Sequence, residues 1–444
     1  MSTNDRFGRE APWNFGEFLS KVALGAMLWA IASGGVPGVG SARAPPATAG
    51  AQPSVSYLDI FDEIWTTIQN EYYDPAFNGV DWRSARLRYR PRVESAKSPS
   101  EAFGYIETLL GELRDSHTKY TPPDGPSRPS RPRGSVGISL AEVEGKTVIV
   151  VVEPDSDAAR AGVKPGMVLA DVNGQTVETV IEKVRGNWRG SSSKAGMATV
   201  LFGAILYGGF LGSERAFGIV DFEGKRLAVR VTRRQPFVTP PLVVGRRLPS
   251  GYGYLKLDRW DARAGQPFGA ELLRLMDAPG LILDLRGNAG GTREAVLEVA
   301  SHFFSTEVRF WAEKDKSGKV RTYTTHVLDR TYGGPLVVLV DERSASSSEV
   351  FASMVQEHGR ARLVGRPTCG CVLNAKVQKL KAGGTLSFSW KTVQSLHGSV
   401  LEGVGVTPER LVPLRIEDLR RGRDAAREAA EEVLRTMPRR KSTE

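Results

Sequence analysis

Residues 335–341, PLVVLVD, place five consecutive aliphatic side chains between a proline and an aspartate. Side chains of a strand alternate between two faces, so an unbroken apolar run has no face to give to water. It must lie inside a sheet covered on both sides. The run leads into ERSASSSEVFASMVQEHG, a serine-rich turn followed by an amphipathic helix starting near Ser347 to Glu349. The same rhythm occurs upstream. Gly253 to Leu257 reads as a short strand and Gly269 to Met276 as a helix. Gly280 to Leu285 reads as a buried strand running into Arg286-Gly287-Asn288-Ala289-Gly290-Gly291, with a helix from Glu294 to Phe304 behind it. Strand and helix alternation from about residue 236 predicts an α/β core with at least partly parallel strands.

A chain of 444 residues is too long for one such core, so two or three domains are expected. Apolar positions recur at helical spacing through Ile60, Phe61, Ile64, Trp65 and Ile68. They recur again from Pro99 to Leu113, with Ser100 as a candidate cap, giving a small helical domain over 55–125. A Pro/Ser/Arg-rich joint follows, and then a glycine-rich, strand-like segment over 134–235 in which residues 187–218 read as an insertion. The final stretch, 413–444, holds a helix from about Ile416 to Arg435, read as a solvated cap in preference to an assembly surface, and a basic tail. At the other end, a basic flank, an apolar run over 22–32 and Ala42-Arg43-Ala44 read as an export signal over 1–44, with a linker over 45–54. The run is too short to span a bilayer. Left uncleaved, it would serve as an anchor and bring membrane association. The formal charge of +10 is spread along the chain, dense only at Arg439, Arg440 and Lys441, and accompanies no nucleic-acid-binding motif. No nucleic-acid partner is expected. The two cysteines, Cys369 and Cys371, stand at a spacing poorly suited to a stabilising disulfide, because the closed loop is tiny.

The serine turn allows two readings. Ser346 and Glu349 have the S-x-x-E spacing of a capping box, which satisfies first-turn N–H groups. A serine at a strand-to-helix turn is also placed for nucleophilic attack, because the first-turn N–H groups can stabilise an oxyanion. Position alone leaves both open. Taken together, DERSASSSE, LILDLRGNAGG about 55 residues before it, and GRARLVGRPTCG and LEGVGVTPE after it resemble the catalytic domain of the C-terminal processing (tail-specific) peptidases. Their tricorn-like branch is the nearer pattern. The segment AARAGVKPGMVLADVNGQTV, with Gly134-Ser135-Val136-Gly137-Ile138 before it, resembles a PDZ domain of bacterial proteases. The implied fold class is α+β multidomain: a helical domain, a PDZ-like β domain over 134–235 and a crotonase-like ββα serine peptidase core over 236–412.

The resemblance implies site residues position by position. Ser346 is the nucleophile, and Gly290, Gly291 and the Ser347 N–H form the oxyanion hole. Many family members use a lysine in a T-x-G-K turn as base; here Thr368-Cys369-Gly370-Cys371 puts Cys371 in that place, and Lys376 and Lys379 read as solvated. A thiol is a poor substitute for that base. Instead, Asp115-Ser116-His117-Thr118 resembles the segment that supplies the histidine of tricorn-type members. Glu402 resembles the glutamate that orients that histidine, and Ser116 the supporting serine. The PDZ-like loop, with Gly134, Val136, Gly137 and Ile138, is expected to hold a peptide C-terminus by β-augmentation. Protein or peptide substrates are therefore expected, with no metal and no cofactor; a homo-oligomer is a further expectation. A catalytically inactive peptide-binding scaffold of the same fold is the alternative from another class, with a small-ligand carrier as a third.

Overall fold

The computed structural model describes residues 56–123, 134–187, 193–207, 209–234 and 240–438. The expected export signal, its apolar run, the linker and the basic run at 439–441 lie outside the described residues. Among the described residues no helix is long and apolar enough to cross a membrane.

Helix α1 (Tyr57–Glu71) starts at Ser56, whose hydroxyl accepts from the Asp59 N–H, and buries Ile60, Phe61, Ile64 and Ile68. Helix α2 (Trp82–Glu94) was not expected: its sequence is arginine-rich and contains Pro91, so the apolar signal is thin. The buried set Trp82, Ala85, Tyr89 and Val93 nonetheless keeps helical spacing. Helix α3 (Pro99–Gly111) is capped by Ser98 and not Ser100, which leaves Pro99 in the first turn, where no N–H is needed. These helices share one core with Tyr120 of strand β1 (Lys119–Thr121) and with Leu380, Leu386 and Phe388 from far along the chain.

The next unit is an antiparallel sheet. It comprises β2 (Ile138–Val143), β3 (Lys146–Val152), the short helix α4 (Asp157–Arg160), β4 (Val168–Val172), β5 (Gln175–Thr176), helices α5 (Val177–Asn187) and α6 (Lys194–Tyr207), β6 (Glu214–Val220) and β7 (Arg226–Thr232). Strand order is β2-β3-β4-β6-β7, with β5 beside β4. The expected insertion thus holds a helix and a strand. Ile205 and Leu206 of α6 are buried with Val136, Ile138 and Leu140. Gly and Ser around the insertion had masked this apolar stripe.

The third unit holds β8 (Val243–Arg247), β9 (Gly253–Leu257), α7 (Gly265–Leu273), β10 (Leu281–Asp284), α8 (Arg293–Ser301), β11 (Arg309–Asp315), β12 (Val320–Thr324), β13 (Leu336–Val340), α9 (Ser347–Glu357), β14 (Arg362–Gly365), β15 (Leu373–Lys379), β16 (Thr385–Gln394) and β17 (Arg410–Leu411). Six strands form a sheet in the order β17-β14-β13-β10-β9-β8, parallel except for β8 at one edge. Strand β13 explains its composition: Leu336, Val338 and Val340 face the large core with α7, α8 and α9, while Val337 and Leu339 face the other side. A second, antiparallel sheet in the order β1-β16-β11-β12, with β15 also on β16, was not foreseen.

The C-terminal segment corrects the expectation of one solvated helix. It breaks at Gly422 (φ 65°) into α10 (Ile416–Arg420) and α11 (Ala425–Thr436). Ile416 and Leu419 pack on Val143, Val148, Val150 and Val151 of the β unit. Ala426, Ala429, Ala430 and Leu434 cover the second face of the parallel sheet. Arg286 fastens this segment, donating to Asp424 at 2.7 and 2.9 Å while it also pairs with buried Asp284.

Candidate active site

Strand β13 delivers the chain to Asp341, whose carboxylate accepts from the Gly287 N–H at 2.8 Å and ties the two strand-end loops together. Between them Ser344 donates to the Leu285 carbonyl (2.9 Å) and Ala345 N–H to the Asn288 carbonyl (3.1 Å). Ser346 then takes φ 53° and ψ −115°, a region L-residues rarely occupy, directly before α9. Both residues of a capping box stand at the right spacing, yet only half of it forms. The Ser346 N–H donates to the Glu349 carboxylate at 3.0 Å, while the Glu349 N–H goes to the Ser346 carbonyl at 2.9 Å and leaves the hydroxyl out.

The glycine turn lies against this serine. A Cβ on Gly290 (φ 104°) would stand 2.8 Å from the Ser346 Cβ, and one on Gly291 (φ 150°) 2.1 Å from the Trp260 carbonyl oxygen. Side chains are excluded from both positions. One donor of the oxyanion assignment is corrected: the Gly290 N–H is already committed to the Asn288 side chain at 3.0 Å. Neither Gly291 nor Ser347 N–H has a hydrogen-bond partner among the described residues. Buried Asn288, which also donates to the Leu257 carbonyl, and Trp260, which donates to Ser348 at 2.8 Å, brace this turn. Sequence reasoning passed over both because neither carries acid–base chemistry.

His117, Ser116 and Glu402 meet. Ser116 Oγ lies 2.8 Å from His117 Nδ1 and donates to Glu402 Oε1 at 3.2 Å. A hydroxyl has one hydrogen, so with Glu402 ionised that hydrogen is spent on the carboxylate and Nδ1–H must be the donor to Ser116. The neutral ring then carries its lone pair on Nε2. Burial pushes the half-buried His117 below its ordinary range; Asp115 opposes this shift and Lys119 adds to it. Buried Asp115 accepts from the His117 N–H (2.7 Å), the Thr118 hydroxyl (2.5 Å) and the Ser389 hydroxyl (2.9 Å), so it fixes the loop to β16. Strand β1 continues that attachment, with Lys119 opposite Ser387. No hydrogen bond joins Ser346 to His117 among the described residues.

The link between nucleophile and relay is a single peptide unit. The Cys371 carbonyl accepts from the Ser346 N–H at 3.0 Å, and the N–H of the same unit, on Val372, donates to Glu402 Oε2. Cys371 is bonded to Cys369, contrary to the expectation from their spacing. The turn brings the sulfurs together because Glu349 gathers its N–H groups: Gly370 at 2.6 Å and Cys371 at 2.9 Å, with the Thr368 hydroxyl at 2.5 Å. A disulfide sulfur offers no proton acceptor of a base's strength, so Cys371 does not replace the lysine. Lys376 is not simply solvated; it pairs with Glu71 at 2.5 Å. Glu349 is fully buried, and burial raises its carboxyl against the pull of these four hydrogen bonds. Its role was hidden in the sequence, where it read only as a helix cap.

The expected peptide-binding loop, Gly134 to Ile138, leads into strand β2. Val136 and Ile138 are buried in the core of the β unit, and the Gly137 N–H is held by Ser135 at 2.9 Å. A Cβ on Gly134 would strike the Arg233 Cβ. Among the described residues no group of three or more His, Cys, Asp or Glu is arranged to hold a metal.

Comparison with known proteins gives this geometry a context. Residues 251–412 match peptidase family S41 and residues 53–111 the tricorn protease C1 domain. Carboxyl-terminal-processing peptidase 2, chloroplastic, of Arabidopsis thaliana is 27% identical over 383 residues, covering 80% of this chain and 68% of that protein. Tricorn protease homolog 1 of Streptomyces coelicolor is 26% identical over 383 residues, covering 84% of this chain but 34% of that protein. The fold is similar to the photosystem II D1 C-terminal processing protease (TM-score 0.57, 24% identity, 84% of this chain and 98% of that one). It is also similar to mature CPAF (TM-score 0.66, 15% identity, 85% and 96%).

Proposed function

We propose that this chain is an exported serine endopeptidase of the C-terminal processing peptidases, peptidase family S41, working through Ser346, His117 and Glu402. The observation that carries this reading is the shared peptide unit between Cys371 and Val372, which holds the Ser346 N–H at one end and Glu402 at the other. His117 Nε2 takes the proton as Ser346 Oγ attacks the scissile carbonyl. The developing oxyanion is met by the Gly291 and Ser347 N–H groups, and Glu402 stabilises the imidazolium through the Ser116 hydroxyl. Returning the proton to the leaving amine gives an acyl-enzyme, which water hydrolyses by the same relay. Ser346 and His117 share no hydrogen bond among the described residues, and catalytic hydrogen bonds often tighten only in the complex.

Substrate capture is placed at the Gly134–Ile138 loop of a PDZ-like unit. Strand β2 has one strand neighbour in its sheet, which leaves an edge for a peptide to join, although α6 also packs on that strand. Export rests on the basic flank, apolar run and small-residue site of residues 1–44. The test is a labelled fluorophosphonate with an unfolded protein as substrate. The intact protein should label and cleave, and Ser346→Ala should do neither; labelling that persists in Ser346→Ala refutes the nucleophile.

A further inference from the structure

Glu349 is a carboxylate with 0% exposure and no cation in ion-pair contact among the described residues. Such burial is costly unless every lone pair is used. Here they are used, by four donors that all belong to the site: the Ser346 N–H, the Thr368 hydroxyl, and the Gly370 and Cys371 N–H groups. We infer that Glu349 is a positioning residue for the proposed reaction, fixing the nucleophile and the 368–372 turn as one rigid piece.

Three consequences follow from its contacts. The Ser346 N–H is shared between Glu349 and the Cys371 carbonyl, so it is withdrawn from the oxyanion hole, whose donors are thereby restricted to Gly291 and Ser347. The strained Ser346 backbone is held from below by a negative charge at the start of α9, where first-turn N–H groups favour an anion. By anchoring the Gly370 and Cys371 N–H groups, Glu349 also sets the position of the Val372 N–H that holds Glu402. Nucleophile and relay are therefore registered to each other through one side chain that touches neither substrate nor His117.

A glutamine cannot stand in, because its NH₂ would face N–H groups where the carboxylate accepts from them. The inference rests on Ser346 being the nucleophile, so Ser346→Ala is run beside it. Glu349→Gln, assayed per folded molecule on an unfolded protein, should lose about 100-fold in kcat and in fluorophosphonate labelling rate, the scale expected when a reacting group is misplaced by about 1 Å. KM should stay within about threefold, and the acid limb of the pH profile should stay where His117 sets it. Glu349→Asp keeps the charge one methylene short and should recover part of the loss; it also carries the test if the glutamine variant does not fold. Unchanged kcat per folded molecule in both variants overturns the inference, and so does a displaced acid limb, which would make Glu349 a partner of the base. If Ser346→Ala itself still turns over, the nucleophile reading fails instead.

Discussion

Replacing Ser116 with alanine isolates the least usual part of the proposed relay. Its hydroxyl is the described hydrogen-bond connection between His117 and Glu402, accepting from Nδ1 at 2.8 Å and donating to Oε1 at 3.2 Å. In the acylation transition state the ring becomes an imidazolium, so both bonds are then charge-assisted. A hydrogen bond to a charged group contributes about 1.5–3 kcal/mol, and each 1.36 kcal/mol of barrier is tenfold in rate. Ser116→Ala should therefore lower kcat/KM roughly 10- to 150-fold. Glu402→Ala should cost more, because it also releases the Val372 N–H and with it the peptide unit that holds Ser346. If Glu402 acts on His117 through Ser116, adding Ser116→Ala to Glu402→Ala should change kcat/KM by less than about threefold, since residues acting as a unit are non-additive. The assay is steady-state cleavage of an unfolded protein, with labelling rate as an independent measure. A Ser116→Ala enzyme within twofold of the parent, or a double variant that loses the full product of the two single effects, would refute the relay.

The remaining predictions concern pH and stability. Burial holds His117 below its ordinary range, and a general base works when neutral, so activity should persist as pH falls past about 6.5 and fail only below it. Asp115 raises the imidazole, so Asp115→Asn should move that limb lower still; a limb centred at or above about 7 in the parent contradicts the assignment. Asp424→Ala removes the N-cap of α11 and the paired charge-assisted bonds from Arg286. Arg286 keeps Asp284, so the loss should be about 3 kcal/mol and not a full unpaired buried charge. Urea unfolding followed at the C-terminal helices would show it, and an unchanged midpoint would mean that α11 is held by its apolar face alone.

Local pattern determined the elements whose signal is local. The unbroken aliphatic run before Asp341 could only be an interior strand, and its two faces are indeed covered by helices α7 to α9 on one side and α11 on the other. The order of motifs around Ser346 and the glycine turn pointed to one site, although the groups that exclude side chains from Gly290 and Gly291 are Ser346 and Trp260, distant in the chain. Where the signal was diluted, reading failed: α2 hides its stripe among arginines, and α6 among glycines and serines. The final helix read as solvated because a stretch rich in alternating charges gives no hint of what its alanines meet.

Tertiary structure decided everything that depends on partners distant in the chain. His117 and Glu402 are 285 positions apart by their numbers, and what unites them is strand β1 docking on β16 with Asp115 reaching Ser389. Glu349 changed from a helix cap into the support of the nucleophile only when residues 368–371 folded onto it. The Gly290 N–H was likewise lost to the oxyanion hole because Asn288, held to the distant Leu257 carbonyl, accepts from it. The physical reason is common to all three. A sequence reports which groups can donate, accept or titrate, but each donor has one hydrogen to give, and only the packed chain determines where it goes.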